Sequence, residues 1–116
     1  MIKFKFLKRD GVYYGFEETG HAGYAESGDD IVCSAVSAMT MLVVNAIEVS
    51  YASDVEYTID EDSTDIKVVA LGALPEYSDD EKKRFAVAGI IEAYFLQLND
   101  MLEEYYEYID VTESEE

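Results

Sequence analysis

Basic residues are scarce in this sequence. The chain has 8 Lys and Arg against 26 Asp and Glu, which gives a formal net charge of −18 at pH 7. No Lys or Arg lies between Asp10 and Ile66, and none follows Arg84. Nucleic-acid phosphates and anionic membrane surfaces attract Lys and Arg. The charge therefore argues against direct nucleic-acid or membrane binding. It would attract a basic partner, or it serves only to keep the protein in solution.

Cysteine, histidine and proline occur once each, and tryptophan is absent. One cysteine cannot form an internal disulfide, so we expect a protein of the reducing cytoplasm. One Cys and one His also make a poor zinc site, so we expect no metal and no cofactor. The N-terminal segment MIKFKFLKRD has no continuous apolar run and is not a signal peptide. The longest apolar run, around MTMLVVNAI, is shorter than the roughly 20 residues of a membrane span.

The hydrophobic pattern predicts one compact domain over residues 1–116. Alternating apolar residues indicate a hairpin over residues 1–18, and helical spacing begins at Asp30. The segments DVEYTID and TDIKVVAL are predicted strands, and EEYYEYIDV is the predicted last strand. A second helix is predicted from about Asp79 to Asp100, and Ser78 with Glu81 has the spacing of a capping box at its start. We expect the acidic tail, about residues 112–116, to be frayed. The order ββαββαβ indicates an α+β fold, a mixed or antiparallel sheet of about five strands with two helices on one face.

The only cysteine lies close to the predicted start of the first helix. Asp29 or Asp30 is the expected N-cap of that helix. If Asp30 is the cap, Cys33 is the third helical residue and lies near unpaired backbone N–H groups and the positive end of the helix dipole. Both favour a thiolate, which is the nucleophilic form, and the same N–H groups would stabilise an oxyanion. The carboxylates of Asp29 and Asp30 oppose thiolate formation. The alternative is that Cys33 is a small hydrophobic residue of the core.

The only histidine precedes this cysteine by twelve residues, in the glycine-containing loop GHAGYAESGDD. The loop is long enough to fold back over the helix start, so spacing allows His21 and Cys33 to meet. It equally allows a surface histidine or a hydrogen-bonded loop anchor. Asp30 has two candidate roles, as the helix cap or as a group that orients the imidazole. Tyr24 lies inside the loop and is a candidate for stacking on an aromatic residue of a substrate.

Four short motifs together resemble the ribosomal-processing cysteine protease (Prp) family. They are Gly20-His21-Ala22, the run GDDIVC that ends at Cys33, Ser37-Ala38, and Asn45-Ala46-Ile47. The resemblance implies a small α+β homodimer with Cys33 as nucleophile and His21 as general base. Asp30 matches the aspartate of the motif, Gly20 and Ala22 flank the histidine, and Ser37 is expected to line the substrate groove. Ser34 replaces an expected alanine, which is tolerated if the side chain faces solvent.

The resemblance also implies a substrate. Members of this family remove an N-terminal extension from the precursor of large-subunit ribosomal protein number twenty-seven. The net charge of −18 would attract such a basic protein and repel ribosomal RNA. A non-catalytic acidic module that chaperones a basic ribosomal protein would use the same charge without a thiolate. A third reading is a regulatory thiol that senses oxidants.

Overall fold

The computed structural model describes residues 1–20 and 27–116, with the backbone alone at residues 27–30. The first helix extends into a π-helical turn, Ala46–Ser50, and a 3-10 turn, Leu71–Ala73, precedes the second helix. The predicted order ββαββαβ and the α+β class are confirmed. The elements are β1 Ile2–Arg9, β2 Val12–Thr19, α1 Ser27–Asn45, β3 Glu56–Ile59, β4 Ile66–Val69, α2 Glu81–Tyr105 and β5 Ile109–Glu115.

The predicted hairpin is formed by β1 and β2, which pair antiparallel with Arg9 opposite Val12. The two turn residues between them, Asp10 and Gly11, have φ values of 51° and 79°. Positive φ at both positions is the requirement of the tight two-residue turn that matches the twist of paired strands. Asp-Gly supplies it at low steric cost, so a two-residue sequence signal sets the register of the hairpin.

The sheet has the strand order β3-β4-β2-β1-β5, and it is mixed. Three strand pairs are antiparallel, whereas β5 runs parallel to β1 from Ile2 opposite Ile109 to Lys8 opposite Glu115. The expectation of a frayed tail was therefore wrong. The acidic end meets the basic strand: Lys5 Nζ lies 3.3 Å from a carboxylate oxygen of Glu116 and Lys8 Nζ lies 3.6 Å from one of Glu113.

Both helices pack on the same face of the sheet. The alternating residues Phe4, Phe6 and Phe16 are buried under the helices. The ring of Tyr94 in α2 meets all three edge-on, with centroid separations of 5.8, 5.9 and 5.3 Å. These edge-to-face contacts are the preferred geometry of aromatic pairs, and they fix α2 over the centre of the sheet.

The helix ends differ from those predicted. Helix α1 begins at Ser27, so the expected caps Asp29 and Asp30 both lie inside the helix. Helix α2 is capped by Asp80, whose side chain accepts a hydrogen bond from the Lys83 N–H at 3.1 Å. Ser78 instead accepts a hydrogen bond from the Asp80 N–H at 3.3 Å. The helix continues to Tyr105, so the expected last strand begins later, at Ile109.

Two helical segments are longer and more apolar than the sequence reading allowed. By length and composition alone, Ile31–Ser50 and Glu81–Tyr105 are compatible with crossing a membrane, since an 18-residue stretch of each has a mean hydropathy of 1.8 and 1.2, respectively. The sequence reading argued against a membrane span from the length of the longest apolar run, and that argument was wrong because the helical segments are longer than the run. Their buried residues, which include Val36, Ile47 and Ile91, form the core against the sheet. Only 33% of the most apolar stretch of the first segment and 22% of that of the second is buried, so this packing accounts for part of their apolar character.

Candidate active site

Cys33 is the seventh residue of α1, since the helix begins at Ser27. The expectation that it lies in the first helical turn was wrong. The N–H groups without a partner inside the helix belong to the first four residues, 27–30, and the effect of the dipole falls off within that turn. At about 1.5 Å per residue these groups lie about 4 to 9 Å from Cys33 along the axis. The helix start is therefore a weaker source of thiolate or oxyanion stabilisation than predicted.

The thiol lies at the boundary between the buried and exposed sides of α1. Cys33 is half-buried and packs against the core, while its neighbour Val32 is 1% exposed and Val36 is fully buried. Ser34 and Ser37 are exposed. Ser34 thus satisfies the condition under which it was expected to be tolerated. Ser37, one turn after Cys33, is accessible to a peptide, and its role in a substrate groove stays a prediction.

Gly20 shapes the chain directly before the histidine. It follows the last residue of β2 and has a φ of 90°, which L side chains rarely adopt. A Cβ added there would approach the carbonyl oxygen of Met1 well inside 3.0 Å, closer than real Cβ atoms come. Both facts require glycine at this position. The structure therefore explains why the motif has a glycine at position 20, which the sequence alone does not show.

Two contacts fix the direction of α1 over the sheet. The hydroxyl of Thr40 hydrogen-bonds the carboxylate of Glu18, near the end of β2. Beyond the π-helical turn, Ser53 lies against Gly72. Two residues before Gly72, the Ala70 N–H donates to the carbonyl of Tyr14 in the first half of β2, at 2.7 Å. Helix α1 therefore runs antiparallel to β2. Its N-terminal half extends toward the end from which the chain leaves β2.

Some predicted site residues lie outside the described residues. These are His21, Ala22 and Tyr24, and the side chain of Asp30 is outside them as well. Asp30 lies inside α1 and is not its cap, so the remaining prediction for it is the orientation of the imidazole. The described residues thus place Cys33, Ser37 and Gly20, and they leave the contact between Cys33 and His21 as a prediction.

The sequence reading missed a buried polar cluster beside this end of the sheet, formed by Glu18, Thr40 and Tyr94. Thr40 contacts Glu18 and, at 2.8 Å, the hydroxyl of Tyr94, which donates to the carbonyl of Val36 at 2.9 Å. Burial and the nearby charge of Glu18 raise the pKa of Tyr94, so its hydroxyl stays neutral and keeps donating. The signal was available, because Glu18 alternates with Phe16 on the apolar side of β2.

Comparisons with known proteins agree with this architecture. The chain matches the family described as Cysteine protease Prp over residues 1–110. It is 33% identical, over 97 residues, to the ribosomal processing cysteine protease Prp of Bacillus subtilis, covering 84% of this chain and 82% of the relative.

Solved structures give the same result. SMU.848 from Streptococcus mutans superposes with a TM-score of 0.80 at 33% identity, covering 100% of this chain and 99% of the other. A Staphylococcus aureus ribosomal processing protease Prp, solved with a substrate peptide, shares the fold with a TM-score of 0.80 at 23% identity, covering 98% of this chain and 100% of the other. From the family match over most of its length and from its curated relative, the chain belongs to the cysteine protease Prp family.

Proposed function

We propose that this protease removes the N-terminal extension from the precursor of large-subunit ribosomal protein number twenty-seven, with Cys33 as nucleophile and His21 as general base. Its Bacillus subtilis relative is named a ribosomal processing cysteine protease. The observation that carries the proposal for the dyad is the antiparallel path of α1 over β2. That path brings the helix end of Cys33 to the strand end from which residue 21 follows.

The two distances along the chain match. Cys33 precedes Thr40 by seven helical residues, or about 10 Å at 1.5 Å per residue. His21 follows Glu18 by three residues, which reach about 10 Å when extended at roughly 3.3 Å each. Thr40 and Glu18 are hydrogen-bonded to each other. Because the span from Thr40 to Cys33 is about equal to the reach from Glu18 to His21, the imidazole can reach the thiol. This supports a Cys–His dyad at this end of the sheet.

The proposed reaction proceeds in two steps. The imidazole of His21 takes the proton of the Cys33 thiol, and the thiolate attacks the carbonyl carbon of the scissile bond. The imidazolium then protonates the leaving amine, and the C–N bond breaks to leave a thioester on Cys33. Water, deprotonated by His21, hydrolyses the thioester, which releases the second product and restores the thiol. The reaction needs no metal or cofactor.

A direct experiment incubates the chain with an extended ribosomal precursor and follows the products by mass spectrometry. Wild type is expected to cleave, whereas Cys33→Ala and His21→Ala keep the fold and lose cleavage. Cys33→Ser is expected to be nearly inactive, because a serine hydroxyl is far less acidic than a thiol. A chain that binds the precursor without cleaving it, and whose Cys33 alkylates no faster than a model thiol, would instead favour the acidic chaperone.

The two helices offer a surface for the homodimer expected from the resemblance. The sides turned away from the sheet carry exposed apolar side chains: Leu42 is 62% exposed in α1, and Phe85 and Leu96 are 83% and 54% exposed in α2. A groove between the helices is lined almost entirely by apolar residues, among them Met39, Leu42 and Ile90. Exposed apolar patches of this kind mark interaction sites. We propose that a second copy of the chain covers them.

Sedimentation velocity tests the dimer. Leu42→Glu places a charge in the helix groove and is expected to give monomers, because burying an unpaired charge is costly. Ile59→Glu is the matched control, since Ile59 is an equally apolar side chain, 48% exposed, at the β3 edge of the sheet. It is expected to leave the dimer intact. A wild-type chain that sediments as a monomer at micromolar concentration would remove this part of the proposal.

The charge and the single cysteine support a location in the reducing cytoplasm, without direct contacts to nucleic acid or membrane. A net charge of −18 repels phosphates, and the helical segments with membrane-like hydropathy supply core residues to the sheet. Cell fractionation tests this proposal. Recovery of the chain in a carbonate-washed membrane pellet would contradict it.

A further inference from the structure

Glu18 is a carboxylate buried on the core side of β2, where apolar side chains are expected. Its side chain is 0% exposed, and it is the only buried charged side chain among residues 1–20 and 31–116. It occupies the position on β2 that alternates with Phe16, so it points under the helices rather than toward the polar face of the sheet. Burying a carboxylate is expensive unless hydrogen bonds compensate. Such a group is retained where its directional bonds contribute something that an apolar side chain does not.

A chain of polar contacts that begins at Glu18 connects three elements, β2, α1 and α2. The Thr40 hydroxyl of α1 bonds the Glu18 carboxylate of β2, and the same hydroxyl lies 2.8 Å from the Tyr94 hydroxyl of α2. Tyr94 in turn donates to the backbone carbonyl of Val36, one turn before Thr40, at 2.9 Å. Apart from this cluster, the contact between the helices and the sheet is largely apolar. Apolar packing is non-directional, whereas a hydrogen bond weakens steeply with small displacements.

The Glu18–Thr40 hydrogen bond connects the two elements that lead to the proposed dyad. Thr40 follows Cys33 by two helical turns on nearly the same side of α1, because seven residues rotate the helix by almost two full turns. Glu18 precedes His21 by three residues, and Gly20 between them is held against Met1. A slip of α1 along β2 would therefore move Cys33 relative to the strand end that leads to His21, and the Glu18–Thr40 bond opposes that slip.

We infer that Glu18 and Thr40 are positioning residues for the dyad: their hydrogen bond sets the register between the strand that leads to His21 and the helix that carries Cys33. This inference rests on the proposed function, because it assigns the bond a role in the reaction of that dyad. Both side chains are buried, 0% and 1% exposed, so we expect them to act through the dyad and not by contact with the substrate. A displacement of about 1 Å between reacting groups lowers rates by as much as about a hundredfold.

Two pairs of variants test the role of the bond. Thr40→Val removes the hydroxyl at constant shape, and Thr40→Ser keeps it. Glu18→Met removes the acceptor at similar length, and Glu18→Gln keeps an acceptor oxygen. Tyr94→Phe is the control, because it deletes a hydroxyl of the same cluster whose partners, Thr40 and the Val36 carbonyl, both belong to α1. Two rates are measured for each variant: cleavage of the precursor, and alkylation of Cys33 by iodoacetamide near neutral pH. The melting temperature of each is recorded.

We expect Thr40→Val and Glu18→Met to lower kcat about ten- to a hundredfold with KM within about twofold, and to slow Cys33 alkylation about tenfold. Thr40→Ser and Glu18→Gln restore both rates. Tyr94→Phe lowers the melting temperature and leaves both rates within about twofold of wild type. This division separates positioning from stability, since a merely structural cluster would lose activity only in proportion to melting temperature.

Other results overturn the inference. If Thr40→Val is as active as Thr40→Ser, the bond does not set the register, even if Glu18→Met fails to fold. If Glu18→Gln loses activity while Thr40→Val keeps it, the charge of Glu18 acts in another way. If wild type cleaves and Cys33→Ala does not, the proposed function stands whatever these variants do. If wild type does not cleave, the proposed function fails, and equal alkylation of Thr40→Val and Thr40→Ser overturns the register role separately.

Discussion

Substitution of Gly20 by alanine probes the junction between β2 and the residue proposed as general base. The φ of 90° at Gly20 costs an L residue about 1–2 kcal/mol. The new methyl group must also displace the Met1 carbonyl, which we estimate at about 1–2 kcal/mol more. We therefore expect Gly20→Ala to lower the free energy of unfolding by about 3 kcal/mol.

Gly11→Ala is the matched control. Gly11 has a φ of 79°, but a Cβ added there meets nothing within 4 Å. It therefore pays the backbone cost of about 1–2 kcal/mol without the collision. For a chain of 116 residues the entropy of unfolding near 60 °C is about 0.24 kcal/mol/K, so 1 kcal/mol corresponds to about 4 °C. The expected losses in melting temperature are about 12 °C for Gly20→Ala and about 4–8 °C for Gly11→Ala.

Activity gives the second readout of the same pair. Gly11 lies in the turn at the opposite end of the hairpin, so its substitution is expected to leave kcat/KM within about twofold. Gly20→Ala shifts the chain next to His21, and at a temperature where both variants are folded it is expected to lower kcat about tenfold or more. Equal melting temperatures for the two variants would refute the collision with Met1. Equal kcat values would refute the link between this junction and the reaction.

Two further predictions concern charge. Because the net charge is −18 and a basic substrate is proposed, kcat/KM is expected to fall about tenfold between low and physiological salt, while kcat at saturating substrate stays nearly constant. The measurement is kcat/KM over a series of NaCl concentrations. A value that does not change with salt would show that the charge has no role in the encounter with the substrate. The backbone N–H groups of Ser63 and Asp62 donate to the carboxylate of Asp60 and hold its pKa below the usual range. The folded state therefore binds this proton less readily than the unfolded state, so its stabilisation is present above the ordinary carboxyl pKa and is lost as pH falls through the lowered value. Denaturant titrations from pH 6 to pH 3 should show a shallower loss of stability in Asp60→Asn than in wild type, and identical slopes would contradict this account.

The fold class was predictable because its signals are local. Alternation of Phe4 and Phe6 with lysines, and the Asp10-Gly11 turn, specify the hairpin within a dozen residues. Helical spacing predicted both helices. Their ends were less predictable: α1 begins three residues before Asp30, and the cap of α2 is Asp80 rather than Ser78. Neighbouring Ser and Asp residues offer competing caps, and tertiary packing selects among them.

Long-range pairing was harder to predict from the sequence. The acidic end of the chain has a composition typical of a frayed tail, yet it pairs parallel with β1, where Lys5 and Lys8 lie beside its carboxylates. That contact joins residues about a hundred positions apart, so no local pattern indicates it.

The candidate site divides in the same way. Cys33, His21 and the neighbouring Gly20 were identified from residue type and motif, which are local properties. The position of Cys33 seven residues into α1 was not, because it depends on where the helix begins. The Glu18–Thr40–Tyr94 cluster depends on three elements meeting. Its one local signal is a carboxylate on the apolar side of β2.

The central claim is that the thiol of Cys33 attacks the scissile bond with the help of His21. The most direct measurement is intact-mass analysis of the enzyme mixed with an extended ribosomal precursor and quenched in acid within the first turnover. The account predicts a wild-type adduct whose added mass is that of the N-terminal extension less one water, because the extension is bound to Cys33 as a thioester. It predicts no adduct and no cleavage in Cys33→Ala. Cleavage by Cys33→Ala at the wild-type rate, or an adduct on any other residue, would contradict it.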